Sequence, residues 1–561
     1  MITFVTNRII RIYIFINKYI TRNIISKQNI PMTCAFLLKV LSRVNLVTVT
    51  FVLVFILGLS LPNSYYHSEE NTLFSLAYAV RAQTSPEGPI INDPNLVVQI
   101  VYKGLKLPTA MGFLGPDDIL VLEKNLGTVK RITKGEILQE PLLRVDVNFA
   151  DERGLLGIAI ATKEIEKNVT NPTLITDRKI TDSECLPPIS PYSNSSFFWF
   201  FECLPPISPS SPTLPSSVFL FFTEAVSAKD DAPAGNRVYK YELVKDYDNK
   251  LKLVNPTLLL DLPVGPAASH VGGMLNIGPD NNLYLTLGDQ RLTIYNKNDS
   301  PDSQTQAQNY INGKKPDGRA GILRITQDGG VVGDEGIFGK EHPLNKYYAY
   351  GIKNSFGFDF DPITGKLWDT ENGPTFGDEI NIVEPGFNSG WASIQGFWML
   401  DDEHNKVDQI DSLSIISDDY NLIDFGGKGQ YRSPEFVWDV APTALKFLNS
   451  DKLGKQYEND MFIGDIKNGN LYHFELDEQR KGLQLSGSLA DKIGTKDEIQ
   501  QVIFAQGFGG ITDIEVGPDG YLYILTYSDE DGTIYRIVPA ENSEEKEEIV
   551  TTTTSSSKST S

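Results

Sequence analysis

His270 and Asp289 are the residues of this sequence whose types and placement best suit proton transfer. His270 stands in Ser269-HVGGMLNIGPDNNLYLTLGDQ, immediately before a glycine pair and a strand, where a loop presents its imidazole at the mouth of a fold. Asp289 ends the next strand, so the hairpin can return its carboxylate toward the ring. A base held by an acceptor is the arrangement that general-base chemistry needs. The same residues also read as a structural hairpin with a capping aspartate. His67, His342, His404 and His473 lie in polar or strand contexts without a partner motif, and each reads as a surface or packing residue.

Other chemistries find little support. The three cysteines, Cys34, Cys185 and Cys203, make no CxxC metal site. Cys185 and Cys203 flank a near-duplication, Glu184-CLPPISP and Glu202-CLPPISP, and fit either a loop disulfide in an oxidising compartment or two free thiols. No GxSxG, HExxH or Rossmann glycine pattern is present. The acidic stretches Asp378-Glu379 and Asp401-DEHNKVDQID could bind calcium at a rim, but they lack EF-hand spacing and read first as solvated acidic loops.

The elements that must position these residues repeat along the chain. A Gly-Pro-Asp type turn is followed by alternating apolar residues and a second strand, clearly at Gly115 to Ile132, Gly278 to Asp289 and Gly517 to Val538. Asp361 to Val383, Asp460 to Leu476 and Val218 to Leu243 complete six units. Alternation such as LYLTLGD or YLYILTY predicts strands with one buried face, and no long helical stripe occurs in the body. The pattern predicts an all-β radial repeat over residues 95–540. Residues 163–217, with Pro and Ser clusters and sequons at Asn168 and Asn194, read as an insertion between two strands.

Composition separates the ends from this body. The chain carries −22 overall, yet residues 1–60 hold seven Lys or Arg and no acid, which leaves −29 for residues 61–561. Such a body disfavours nucleic acid, which is attracted by clustered basic residues. Residues 1–62 form a basic leader whose apolar run at 46–61, LVTVTFVLVFILGLSL, predicts an export signal or a membrane anchor. Either fate places the rest outside the cytoplasm. Met32 is a candidate start. Residues 63–94 read as a linker, and residues 541–561 as a disordered, Ser/Thr-rich tail.

With these motifs in hand, the sequence resembles the pyrroloquinoline-quinone (PQQ)-dependent glucose and sorbosone dehydrogenases, whose soluble members are six-bladed β-propellers. The matching segments are Gly154-LLGIAI, His270-VGGMLNIGPDNNLYLTLGDQ, Gly351-IKNSFGFDFDP, Glu371-NGPTFGDEINIVEPGFNSGW, Val440-APTALKF and Asp513-IEVGPDGYLYILT, in family order. The resemblance implies oxidation of an aldose sugar at its anomeric carbon, with hydride passing to PQQ and a proton to His270. It implies that Asp289 supports the histidine, that Lys353, Asn354 and Lys467 contact the cofactor, and that the carbonyls of Gly373 and Pro374 bind calcium.

The departures cluster. Lys353 stands for the family's arginine, and Phe356 for a glutamine. Gly510 and Thr512 replace the arginine pair that clamps the cofactor carboxylates, and Asp439 replaces a threonine. Losing two charge-assisted pairs weakens the hold on a polyanion. Two functions therefore compete: an exported quinoprotein-type sugar oxidoreductase, and a non-catalytic propeller that binds a ligand or protein through the same scaffold.

Overall fold

The computed structural model describes residues 88–161, 217–227, 230–291, 303–401, 404–410 and 422–540. The leader, the three cysteines, both sequons and the tail lie outside these residues, as does all of the insertion except Ser217, which opens a strand.

The described residues are nearly all β, and their only helices are short 3₁₀ turns. Six antiparallel arrays of four strands account for most of them. Their first strands are, in chain order, Pro108–Gly115, Leu155–Ala161, Leu275–Ile277, Ser355–Phe360, Pro442–Phe447 and Gly510–Val516. Each of the six sequence repeats falls in a different sheet. The third sheet is extended by the short parallel strands Phe387–Asn388 and Gln430–Tyr431. A separate small sheet joins Ile394–Gln395, Trp398–Leu400 and Lys406–Gln409.

Neighbouring sheets pack in a closed cycle, because Gly510–Val516 of the sixth packs back against Pro108–Gly115 of the first. Hydrogen bonding within the sixth sheet also holds the cycle shut. Its outer strand is Leu96–Leu105, paired antiparallel with Gly532–Pro539 from the far end of the chain. Ile90–Ile91, read from sequence as linker, instead pair with Ala505 and Gln506 at the edge of the fifth sheet.

The expectation of one buried face is corrected by this stacking. Leu283–Leu287, LYLTL, is buried at every position, including Thr286, whose hydroxyl accepts the Gly273 and Met274 amides. Each sheet lies between two others, so alternate side chains go to different apolar layers. One layer holds Leu120, Leu122, Leu220 and Phe222 between the first two sheets; another holds Trp368, Trp438, Phe447 and Tyr472 between the fourth and fifth.

A polar arc crosses the inner strands. Asn276, Asp359, Lys446 and Glu515 are each the penultimate residue of the first strand of four consecutive sheets. The Asn276 amide donates to Asp359 at 3.3 Å, and the Lys446 ammonium lies 3.6 Å from Asp359 and 2.8 Å from Glu515. Burial alone pulls the lysine down, but Asp359 and Glu515 outweigh it and hold the ammonium well above its ordinary range. Removing one partner from such a group leaves uncompensated charge. Lys446→Met is therefore expected to lower unfolding free energy by about 3 kcal/mol at neutral pH. Adding Glu515→Gln should return part of that loss in denaturant titrations, and a neutral single variant would contradict the account.

Candidate active site

The residues singled out from sequence converge because they occupy equivalent places on different sheets. His270, Lys353-Asn354 and Asp439 precede the first strands of the third, fourth and fifth sheets; Asp289, Gly373-Pro374 and Lys467 follow the second strands. In an antiparallel hairpin the start of one strand and the end of the next share an edge, so all of them face one mouth.

His270 Nδ1 lies 2.7 Å from Asp289 Oδ1. The carboxylate is the only possible acceptor of that pair, so Nδ1 carries the proton. The second Asp289 oxygen accepts the Trp391 indole N–H at 2.8 Å, and the Arg291 amide reaches Oδ1 at 3.3 Å. Burial pushes the Asp289 carboxyl up, but the charge and hydrogen bond of His270, with Lys353 and Arg291, outweigh it and hold the group well below the usual carboxylate range. Asp289 is buried, whereas the His270 side chain keeps 20% of its surface exposed. The dyad thus has a fixed inner partner and an accessible ring.

His270 itself adopts a left-handed backbone at φ 57°. Close approach makes that turn possible. A Cβ on Gly288 would sit 2.2 Å from the His270 carbonyl and 2.8 Å from Asn354 Oδ1, so only glycine fits before Asp289.

Lys353 Nζ lies 3.1 Å from His270 Nε2. Burial pulls its ammonium below the ordinary lysine value, opposed by Asp289, Glu152, Glu371 and Asp378. Its backbone is fixed on both sides: the amide donates to Glu371 at 2.7 Å and the carbonyl accepts from Asp289. The Asn354 amide nitrogen reaches Glu152 at 3.4 Å, and the Val271 amide donates to the same Glu152 oxygen at 2.9 Å. Sequence reasoning missed Glu152 and Trp391, although each adjoins or closes a segment quoted above.

Lys467 stands apart from the dyad. It is half-buried and donates to the Asp439 carbonyl at 3.3 Å. The Asp439 carboxylate accepts the Gly377 amide at 2.7 Å. Arg319 and Arg432 are both committed, to Asp317 and to Glu435 with Glu384, so neither replaces the missing clamp.

The fit to a calcium-linked quinone divides the mouth. No protein donor bonds the Gly373 or Pro374 carbonyl among the described residues, and Asn354 Oδ1 is buried without a partner. Unclaimed carbonyls suit a hard divalent cation, and the orphaned amide oxygen leaves one acceptor of the same site unfilled. At the former clamp, Gly510 packs on Ile466, and the Thr512 hydroxyl is turned to the Pro108 carbonyl at 3.1 Å. The donor set fits the cation-bound edge of such a cofactor and leaves its carboxylates to lysines.

Asp378 and Glu379 correct the reading of a solvated acidic loop. Both are buried in the strand Asp378–Val383, where backbone pairing covers them. Asp378 accepts the Gly373 and Ala441 amides, while Glu379 accepts Gly396, Gln395, Asn381 and Ser389. Of the second stretch, Asp401 is exposed and His404 is buried against Trp391.

Beneath the mouth, Asp369, Glu371 and Glu379 are buried on paired strands. Burial, reinforced by Glu379, pushes Asp369 up to about 7, and Asn381 and Ser355 only soften this. Burial likewise takes Glu379 to about 7 and Asp378 to about 6. These folded values exceed unfolded ones near 4, so the native state holds protons that the unfolded chain has released. Their stabilisation is complete below about pH 4 and is lost as pH rises through 6 to 7. The calorimetric melting temperature should fall by several degrees between pH 5 and pH 8; a rise would overturn these assignments.

Similarity to known proteins agrees with this geometry. Residues 210–536, more than half of the chain, match the glucose / sorbosone dehydrogenase family. The aldose sugar dehydrogenase YliI of Escherichia coli is 26% identical over 312 residues, spanning 55% of this chain and 70% of that protein. Quinoprotein glucose dehydrogenase B of Acinetobacter calcoaceticus is 32% identical over 181 residues, 31% of this chain and 36% of its own length. The crystal structure of the soluble E. coli aldose sugar dehydrogenase in its apo form superimposes with TM-score 0.50 at 20% identity, covering 79% of this chain and 99% of that one, a likeness of fold. By the extent of the family match and by the fold that carries it, this chain belongs to the glucose / sorbosone dehydrogenase family.

Proposed function

We propose that the protein is an exported sugar oxidoreductase that oxidises an aldose at its anomeric carbon, with His270 as base, Asp289 as its orienter and PQQ held through calcium as hydride acceptor. The observation that carries the reading is the His270 to Asp289 pair at 2.7 Å, buried on the aspartate side and open on the imidazole side. The cycle of six first strands supports a six-bladed propeller. The basic leader, its apolar run and the acidic body support a secreted or membrane-anchored location. The relatives, an aldose sugar dehydrogenase and a quinoprotein glucose dehydrogenase, support the substrate class and the cofactor type.

The chain's own residues divide the work. Asp289 and Trp391 lock one tautomer, so His270 Nε2 presents a lone pair toward the mouth. The Lys353 ammonium donates to that nitrogen. Its flexible stem lets it turn to an incoming acceptor and free the base. His270 Nε2 then takes the proton of the anomeric hydroxyl, and the Asp289 carboxylate stabilises the imidazolium that results. When bound, PQQ supplies a two-electron acceptor for the hydride. Gly373 and Pro374 offer carbonyls to calcium, and Asn354 offers an amide.

One observation favours the competing function. Gly510 and Thr512 are packed into the sheet interface with no cationic group in their place. Titration calorimetry of the purified protein with PQQ and calcium separates the two. A dissociation constant below about 1 µM supports the oxidoreductase. In that case His270→Gln should reduce aldose turnover at least about 100-fold with an unchanged melting temperature. Sugar binding without quinone binding would establish a binding propeller, and full turnover in His270→Gln would remove the histidine from its role.

A further inference from the structure

The small sheet beside the mouth carries a charge that the dyad does not use. Its arm is pinned at His404, whose ring stacks on Trp391 at 5.0 Å, the same indole that holds Asp289. Two residues on, Lys406 reaches back over the arm. Its ammonium lies 3.5 Å from the ring centre of Trp398 and 4.1 Å from that of Phe376. The two rings meet almost at right angles, 87°, with centres 5.9 Å apart. Phe376 belongs to the turn that begins at Gly373 and Pro374 and ends at Gly377. The aromatic corner therefore adjoins the unclaimed carbonyls.

No carboxylate forms an ion pair with Lys406 among the described residues. The nearest acting charge is Asp439, and that carboxylate already accepts the Gly377 amide. Aromatic faces attract an ammonium through their quadrupoles but leave its N–H donors directionally unsatisfied. In a chain of net charge −22, an exposed ammonium fixed this way at a ligand mouth is suited to an anionic group. The rings alongside suit a flat ligand or the C–H face of a sugar. Lys467, which donates to the Asp439 carbonyl, places a second cation beside that residue.

We propose that Lys406, seated on Trp398 and Phe376, recognises a carboxylate on the ring-shaped ligand of this mouth. The inference rests on reading the mouth as a ligand site. It assigns to a lysine on a separate arm the charge missing at Gly510 and Thr512. The carboxylate has two possible sources, the cofactor itself or an acidic sugar such as a hexuronate.

Titration calorimetry with the whole chain tests it, using PQQ with calcium, glucuronate, and glucose as a neutral reference. Wild type is compared with Lys406→Gln, Lys406→Arg and Trp398→Leu. At least one carboxylate ligand should bind about tenfold more weakly to Lys406→Gln and Trp398→Leu, and recover in Lys406→Arg, while glucose is unaffected. Loss confined to PQQ assigns the lysine to the cofactor; loss confined to glucuronate assigns it to substrate choice. Equal affinity of wild type and Lys406→Gln for both ligands, or binding of neither, overturns the proposal. Wild-type binding of glucuronate without PQQ would end the quinone reading and leave this one standing. Tight PQQ binding that ignores Lys406, with glucuronate unbound, would do the reverse.

Discussion

Each of the six four-stranded arrays among the described residues has two packed faces, and that constraint governs the rest. A strand such as Leu283–Leu287 buries all five side chains, so a sheet with one neighbour would leave half of them in water. A row of sheets satisfies its interior members but not its ends. The cycle removes the ends, and the pairing of Leu96–Leu105 with Gly532–Pro539 holds it shut in register from Leu96 opposite Pro539 to Leu105 opposite Gly532. Closure also builds the site. It brings the connections of consecutive sheets to one mouth, where no single sheet supplies both the imidazole and the lysine facing it.

The dyad was legible in the sequence because it is local. His270 and Asp289 flank one hairpin, and the alternation between them sets their relative position. The six repeats were legible for the same reason, since each is one hairpin with its own turn. What spacing does not carry is contact between sheets. Trp391 and Glu152 touch the dyad and its neighbours from distant segments, and nothing local marks them. The polar arc is hidden differently. Asn276, Asp359, Lys446 and Glu515 differ in type, and only their shared register against neighbouring strands joins them. Asp378 and Glu379 were misread because acidic residues beside glycine resemble a loop; backbone amides and buried side-chain amides satisfy them instead.

Buried carboxylates also surround the lysine that stands where the family has an arginine. Lys353 lies among Asp289, Glu152, Glu371 and Asp378, and burial and these charges act on it in opposite senses. An arginine there would remain charged under any condition and would spread its donors over a planar fork. A lysine concentrates its charge at one nitrogen, which can sit on His270 Nε2 without displacing Trp391 or Asn354. On the function proposed above it would also turn toward a ligand on its four-carbon stem.

That exchange ties the state of the base to the state of the mouth. The Lys353 ammonium is the hydrogen-bond partner of His270 Nε2 and engages its lone pair. On the function proposed above, a ligand that offers the ammonium a better acceptor would free the base. On that reading the lysine in the arginine's place does more than preserve a charge: it would make the availability of His270 depend on what the adjoining site offers the ammonium.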